Sequence, residues 1–298
     1  PNADAGGKVL DRKRTKGGYM QTGKLQMRNM LAQHGFARAA GRCAACLGLV
    51  VAAVAVRAEE KWFSVSAAGG NRFWDAAAGW QPTAALPTET DLVTLNSSET
   101  PPGAPLMITN GVQAIAKTIR LATLASPSYA TDGRIPSLHL SGGLLTSATN
   151  WWDSIAVGYH ANGYGLLTLS GGLLSNACVT VGHDGIGVMT NAGGIVDLGN
   201  TGLLLGRNAS GRGMYVQEGG AFTGGVTVGY AGTGVLIHAG GPLSGRGTMY
   251  VGRDAGSEGL LDVRAPGVSV GGGQTLFIGY SGRGVLEQRA NLSADYLK

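Results

Sequence analysis

The chain reads as an all-β protein, a right-handed parallel β-helix (β-solenoid) with about 23–27 residues per rung. Three observations predict this. Steps of three apolar-rich residues followed by glycine recur at a near-constant interval. Glycine, 52 of 298 residues, is concentrated in that array, with 36 falling between positions 151 and 289. Within each step the residues alternate as a strand requires, every second side chain facing the same side.

The steps end at Gly158, Gly182, Gly206, Gly229, Gly252 and Gly279, giving spacings of 24, 24, 23, 23 and 27 residues. A period in the twenties holding three short runs is a solenoid signature. The inward pairs of the first run are Ile155 and Val157, Val179 and Val181, Leu203 and Leu205, Val226 and Val228, Met249 and Val251, and Leu276 and Ile278. Between them Ala156, Thr180, Leu204, Thr227, Tyr250 and Phe277 are expected to point outward. Glycines at the corners supply the positive φ that tight bends need. Collagen is excluded, because glycine does not fall at every third position, and 44% hydrophobic content argues against simple disorder.

The second run places Leu167, Met189, Tyr215, Leu236, Leu261 and Leu286 inward. Two positions later stand Leu169, Asn191, Gln217, His238, Val263 and Gln288. The three adjacent polar members either stack inside the solenoid or lie where the strand ends and reach water. The expectation is water, because a buried polar atom without a partner costs about 1–3 kcal/mol.

The formal charge of +5 is unevenly placed. Residues 1 to 58 carry ten Lys and Arg against Asp4 and Asp11, a balance of +8, which leaves −3 for the rest. Nothing in the repeats therefore implies a phosphate-binding face or a nucleic-acid partner. Residues 43 to 56, CAACLGLVVAAVAV, form a 14-residue apolar stretch after Arg28, Arg38 and Arg42. As a helix it would reach about 21 Å, short of a bilayer core of about 30 Å. It reads as a secretory signal, with Val56 and Ala58 placed for cleavage before Glu59 and no membrane span in the mature chain. Met20, Met27 and Met30 are candidate true starts. Cys43 and Cys46 fall inside this leader, so Cys178 alone remains, as a packed core residue.

Three regions follow: a leader over 1–58, an N-terminal Trp-rich cap with degenerate rungs over 59–150, and β-solenoid repeats over 151–298. Trp62, Trp74, Trp80, Trp151 and Trp152 all precede the clear repeats. An open sheet edge recruits other chains, so a bulky aromatic cap is expected there. The segment 137–147, SLHLSGGLLTS, resembles the end of a degenerate rung.

The units VGYAGTGVLIHAGG (228–241) and VGRDAGSEGLLDV (251–263) resemble repeats of type V secretion passengers, the autotransporters, and of PEP-CTERM exported proteins of Gram-negative bacteria. The segment 71–95 is similar to the Trp-rich opening that precedes such repeats, with Trp74, Trp80, Pro87 and Asp91 in matching order. The resemblance covers about 60 to 290 and implies a parallel β-helix at or beyond the outer membrane. It carries over no catalytic residues, and neither a translocator barrel nor a sorting tail is visible in this sequence.

Phosphate loops, HExxH, GxSxG and calcium-loop motifs are missing, so no catalytic residue, metal ligand or cofactor is assigned. His183 and Asp184 beside Arg207 make one compact polar cluster, expected to be a solvated corner. Asp184 and Asp254 share a corner three rungs apart, about 14 Å at the rung spacing. That exceeds the roughly 5–9.5 Å a glycosidase pair needs. The residue after each anchor glycine is Tyr159, His183, Arg207, Tyr230, Arg253 or Tyr280. Aligned along one edge, these make a candidate binding stripe for sugars or acidic polymers, since aromatic faces and guanidinium planes suit both. The expected role is an exported, secreted or cell-surface scaffold or adhesin whose partner is an extracellular polysaccharide or another cell's surface. The alternative is a polysaccharide-degrading β-helix lyase or glycoside hydrolase.

Overall fold

A computed structural model describes residues 58–64, 66–96, 105–123, 135–149, 153–175 and 177–298. Residues 1–57, which hold the apolar leader, and Trp151 and Trp152 lie outside the described residues. Those described form a β-solenoid of stacked parallel strands. Among them there is no α-helix, only one 3-10 turn at Ala77–Gly79.

Each coil contributes one strand to each of three faces. On the first face, Leu92–Leu95, Thr118–Leu121, Ile155–Val157 and Val179–Val181 stack in register, and the series continues through 203–205, 226–228, Met249–Val251 and 276–278. The second face is an eight-stranded parallel sheet running from Leu106–Ile108 to Arg283–Gln288. The third face stacks the short strands after each second corner, among them Leu144–Ser147, Leu173–Ser175 and Leu243–Gly245. Because registry is one-to-one, a residue type chosen in one coil lies directly over its equivalent in the next, about 4.8 Å away.

The inward pairs behave as their alternation predicts. Val181, Leu205, Val228 and Val251 form one internal column, each 0% exposed and each paired with the next. Ile278 and Leu286 in the last coil are partly buried against the same core. Gly182 shows why the step must end in glycine. Its φ is +71°, and a Cβ there would run into the carbonyl carbon of Arg212 on the neighbouring face. The chain turns where two backbones meet, and only a missing side chain permits both the bend and the contact.

Pointing outward does not mean exposure here, and the expectation for the polar column is overturned. Ala156, Thr180, Leu204 and Thr227 point away from the core yet are buried. The corner side chains fold back across this face: Asp153 takes the Thr180 hydroxyl at 2.8 Å, and the Arg253 guanidinium and Tyr280 ring lie against Tyr250. The polar column does not reach water either. Asn191, Gln217 and His238 are each 0% exposed.

That column is buried because the backbone at the second corner supplies its partners. Asn191 donates to the Gly194 carbonyl at 3.1 Å and accepts from the Gly194 N–H at 2.9 Å. Gln217 donates to the Gly219 carbonyl at 2.6 Å and accepts from the Tyr215 hydroxyl. Burial pushes that hydroxyl well above its ordinary range, so it stays a donor. Both ring nitrogens of His238 face carbonyls, Ala265 at 3.0 Å and Gly241 at 2.7 Å. Each of them reaches the turn that ends its own strand, through Gly194, Gly219 and Gly241, which offsets the penalty that made burial look costly.

Below the repeats, Glu60–Phe63 runs parallel to Leu92–Leu95 and antiparallel to Trp80–Gln81. Phe63, Trp74 and Trp80 are buried, with Trp80 edge-on to both rings at 5.1 and 4.8 Å. Its indole N–H donates to the Trp74 carbonyl at 2.7 Å, so the one polar atom of the ring is satisfied.

Candidate functional site

The stripe begins in backbone geometry. After the anchor glycines from Gly158 to Gly252 the next N–H bonds to the coil below, as in His183 to the Gly158 carbonyl at 3.1 Å, Arg207 to Gly182 at 3.0 Å and Arg253 to Gly229 at 2.9 Å. These bonds hold the corner residues in file, and the side chains then stack on one another.

The Tyr159 ring lies between Arg120, whose guanidinium carbon is 4.3 Å from its centroid, and the His183 ring, stacked at 4.7 Å. The Tyr230 ring lies between Arg207 at 4.5 Å and Arg253 at 4.2 Å. Arg253 also approaches Tyr250, which stacks on Phe277 with ring centroids 5.5 Å apart, and Tyr280 packs edge-on against both. Lys298 closes the series over Phe277 at 5.7 Å. All six residues predicted from the sequence therefore fall on one line that mixes cations and rings over seven coils.

Their ring faces are already occupied. Sequence reasoning expected a platform of open aromatic faces, whereas Tyr159 and Tyr230 have each face covered by a neighbouring side chain. Arg253 keeps 30% of its side chain exposed, so part of a guanidinium edge faces outward. Tyr280 is the exception, 57% exposed at the end of the line.

His183 and Asp184 are not a solvated corner, because the imidazole is only 13% exposed. Its Nε2 lies 3.3 Å from Asp153 and its Nδ1 2.5 Å from Asp184. Asn208 donates to Asp184 at 2.8 Å. Burial alone would lower the imidazole's pKa, but the two carboxylates outweigh it and hold the ring above its ordinary value. Burial would likewise raise the Asp153 carboxyl, but hydrogen bonds from His183 and Thr180 and the nearby charges of His183 and Arg207 hold it below its ordinary value. The imidazole fills the space between the two carboxylates, so a glycosidic bond has no room between them.

Arg120, Asp153, Asn208, Tyr250, Phe277 and Lys298 were missed. Asp153 lies 30 residues before His183, in the junction ahead of the clear repeats and with φ +78°. Arg120 belongs to a coil whose corner carries Ala122, at φ +63°, instead of glycine, so the step motif does not register there. Among the described residues no group of three His, Cys, Asp or Glu is arranged to hold a metal ion, and no helix is long and apolar enough to cross a membrane. No protein-family model matches the chain, and neither does any curated protein or solved structure.

Proposed function

We propose that this chain is an exported, non-enzymatic surface scaffold that uses the corner stripe to hold an acidic polysaccharide. The carrying observation is the stack Arg120, Tyr159, His183, Arg207, Tyr230 and Arg253, with its ring faces internally occupied. A neutral sugar needs an open ring face. An acidic one needs donors, and a guanidinium edge matches a carboxylate or sulfate group. Along the line Arg120, Arg207, Arg253 and Lys298 outnumber Asp153, Asp184 and Asp254, and a protonated His183 adds to the excess. One pyranose of an extended glycan advances about as far as one rung, so contacts of about 0.5–1 kcal/mol each act together on a repetitive polymer. The resemblance to autotransporter passengers and PEP-CTERM proteins, together with the apolar leader, supports placement at or beyond the outer membrane.

The test is to incubate the purified chain with acidic and neutral polysaccharides of matched length, reading retention and product release separately. Retention of the acidic polymer without cleavage is expected. It should weaken with salt and in the Tyr230→Ala, Arg253→Ala double variant, while the melting curve stays cooperative. A preference for neutral glycans, or unchanged binding in that variant, rejects the stripe as the contact line. Shortened products would replace the scaffold reading with the polysaccharide-degrading one.

A further inference from the structure

The middle outward column of the second face is apolar over six coils, whereas the third face sets a polar outward column beside one that is apolar at Leu144, Leu173 and Ile195. On the second face Leu166, Val188, Met214, Val235, Leu260 and Val285 follow one another in register, none of them buried. The corresponding outward column of the third face reads Thr146, Ser175, Asp197, Thr223, Ser244 and Ser269. Both surfaces are built on the same coils.

We propose that the outer second face is a homodimer interface, in which two copies pack face to face about a two-fold axis parallel to the coil axis. Two observations favour a second copy over other occupants. The first is size: six coils of six-residue strands span about 29 Å by about 20 Å, a flat footprint of roughly 580 Å² before the corrugation of side chains is counted. The apolar column fills the middle of this footprint, and the whole approaches the roughly 800 Å² per partner of a standard interface. The second is charge. Each six-residue strand places its first and fifth residues on either side of the apolar column. A two-fold along the coil axis sets the first residue of one copy opposite the fifth of the other in the same coil. In the last coil those residues are Arg283 and Glu287, so the pairing is complementary and occurs twice. One coil earlier Glu258 meets Asp262, whose charge is already balanced by Arg264 at 2.7 Å and Arg289 at 3.6 Å. The mixed signs along this rim do not suit an anionic lipid surface, which selects for uniform positive charge.

The intrachain partners of the rim groups do not prevent this. Arg283 and Glu258 are 4.0 Å apart and 78% and 61% exposed, and Glu287 pairs with Arg289 while 46% exposed. Exposed pairs of this kind exchange partners at little cost.

Sedimentation equilibrium of the whole chain over a hundredfold concentration range tests the proposal. A mass twice that of the chain is expected at the upper end. Val188→Lys with Val235→Lys should give a monomer throughout, with an unchanged circular dichroism melt. If that variant fails to fold, charge exchange decides: Arg283→Glu should shift dissociation to at least tenfold higher concentration, and Arg283→Glu with Glu287→Arg should restore it. A wild-type chain that is monomeric throughout overturns the proposal. So does a dimer indifferent to all of these changes, or a monomer that instead floats with neutral phosphatidylcholine vesicles.

Discussion

Asn191 donates its side-chain amide to the Gln217 side-chain oxygen across 3.3 Å, inside the core and between successive coils. The same amide also serves the turn of its own coil through Gly194. This pair ties the second corner of one coil to that of the next.

Replacing Asn191 by Ala leaves the Gly194 N–H and carbonyl without these partners in a closed core, while the Gln217 oxygen keeps the Tyr215 hydroxyl. The expected loss is about 2–4 kcal/mol, read from urea unfolding. Asn191→Asp tests the same contacts with a charge added and should be worse. A loss below about 0.5 kcal/mol in the Ala variant would mean that the ladder does not hold the corner.

Gly182→Ala and Gly256→Ala separate two costs of adding a side chain. Both glycines have positive φ, +71° and +83°, but at Gly256 nothing lies within 4 Å of an added Cβ, whereas at Gly182 the backbone of Arg212 blocks it. The Gly256 variant should lose about 1–2 kcal/mol from the left-handed conformation alone. The Gly182 variant should lose clearly more and should not melt as one unit. Equal losses would contradict the packing at the anchor step.

Leu205→Asp places a carboxylate in the internal column between Val181 and Val228. Coils are stable through their neighbours, so several should open together. Hydrogen exchange should report lost protection over the strands containing 179–181 and 226–228 as well as 203–205. Loss confined to one coil would argue against cooperative stacking.

The His183 cluster makes stability depend on pH. Because the folded imidazole is held above its ordinary value of 6.5, its contribution is complete below about 6.5 and is lost as pH rises through the folded value. Asp153 is held below its ordinary 3.8, so its share is present above that value and is lost as pH falls through the folded one. The cluster is therefore strongest between the two. His139, lowered by burial, has the opposite sign to His183, being destabilising on acidification. Subtracting His183→Gln from the wild type isolates the cluster, and the difference in melting temperature should shrink above pH 6.5. Retention of an acidic polymer should weaken over the same rise. A difference independent of pH would dissolve the assignment.

Much of this protein is legible because its determinants are local and repeat. Alternation along a strand decides which of Val179, Thr180 and Val181 face the core, and a glycine after each step is what a tight corner between two backbones demands. One-to-one registry then follows from equal spacing, which is why Tyr159, His183, Arg207, Tyr230, Arg253 and Tyr280 align on their intervals alone. The tertiary structure decided everything that depends on what lies across a corner or a coil boundary. Whether Asn191, Gln217 and His238 meet water or backbone carbonyls is set by the path of the following turn, which alternation does not specify. Whether Thr180 is exposed is set by Asp153, 27 residues away, just ahead of the preceding step and outside its pattern. That Tyr159 and Tyr230 have no open face is decided by the rotamers of long cationic neighbours. The sequence states side-chain chemistry and phase; only the stacked coils determine which groups occupy one another and which are left for a partner.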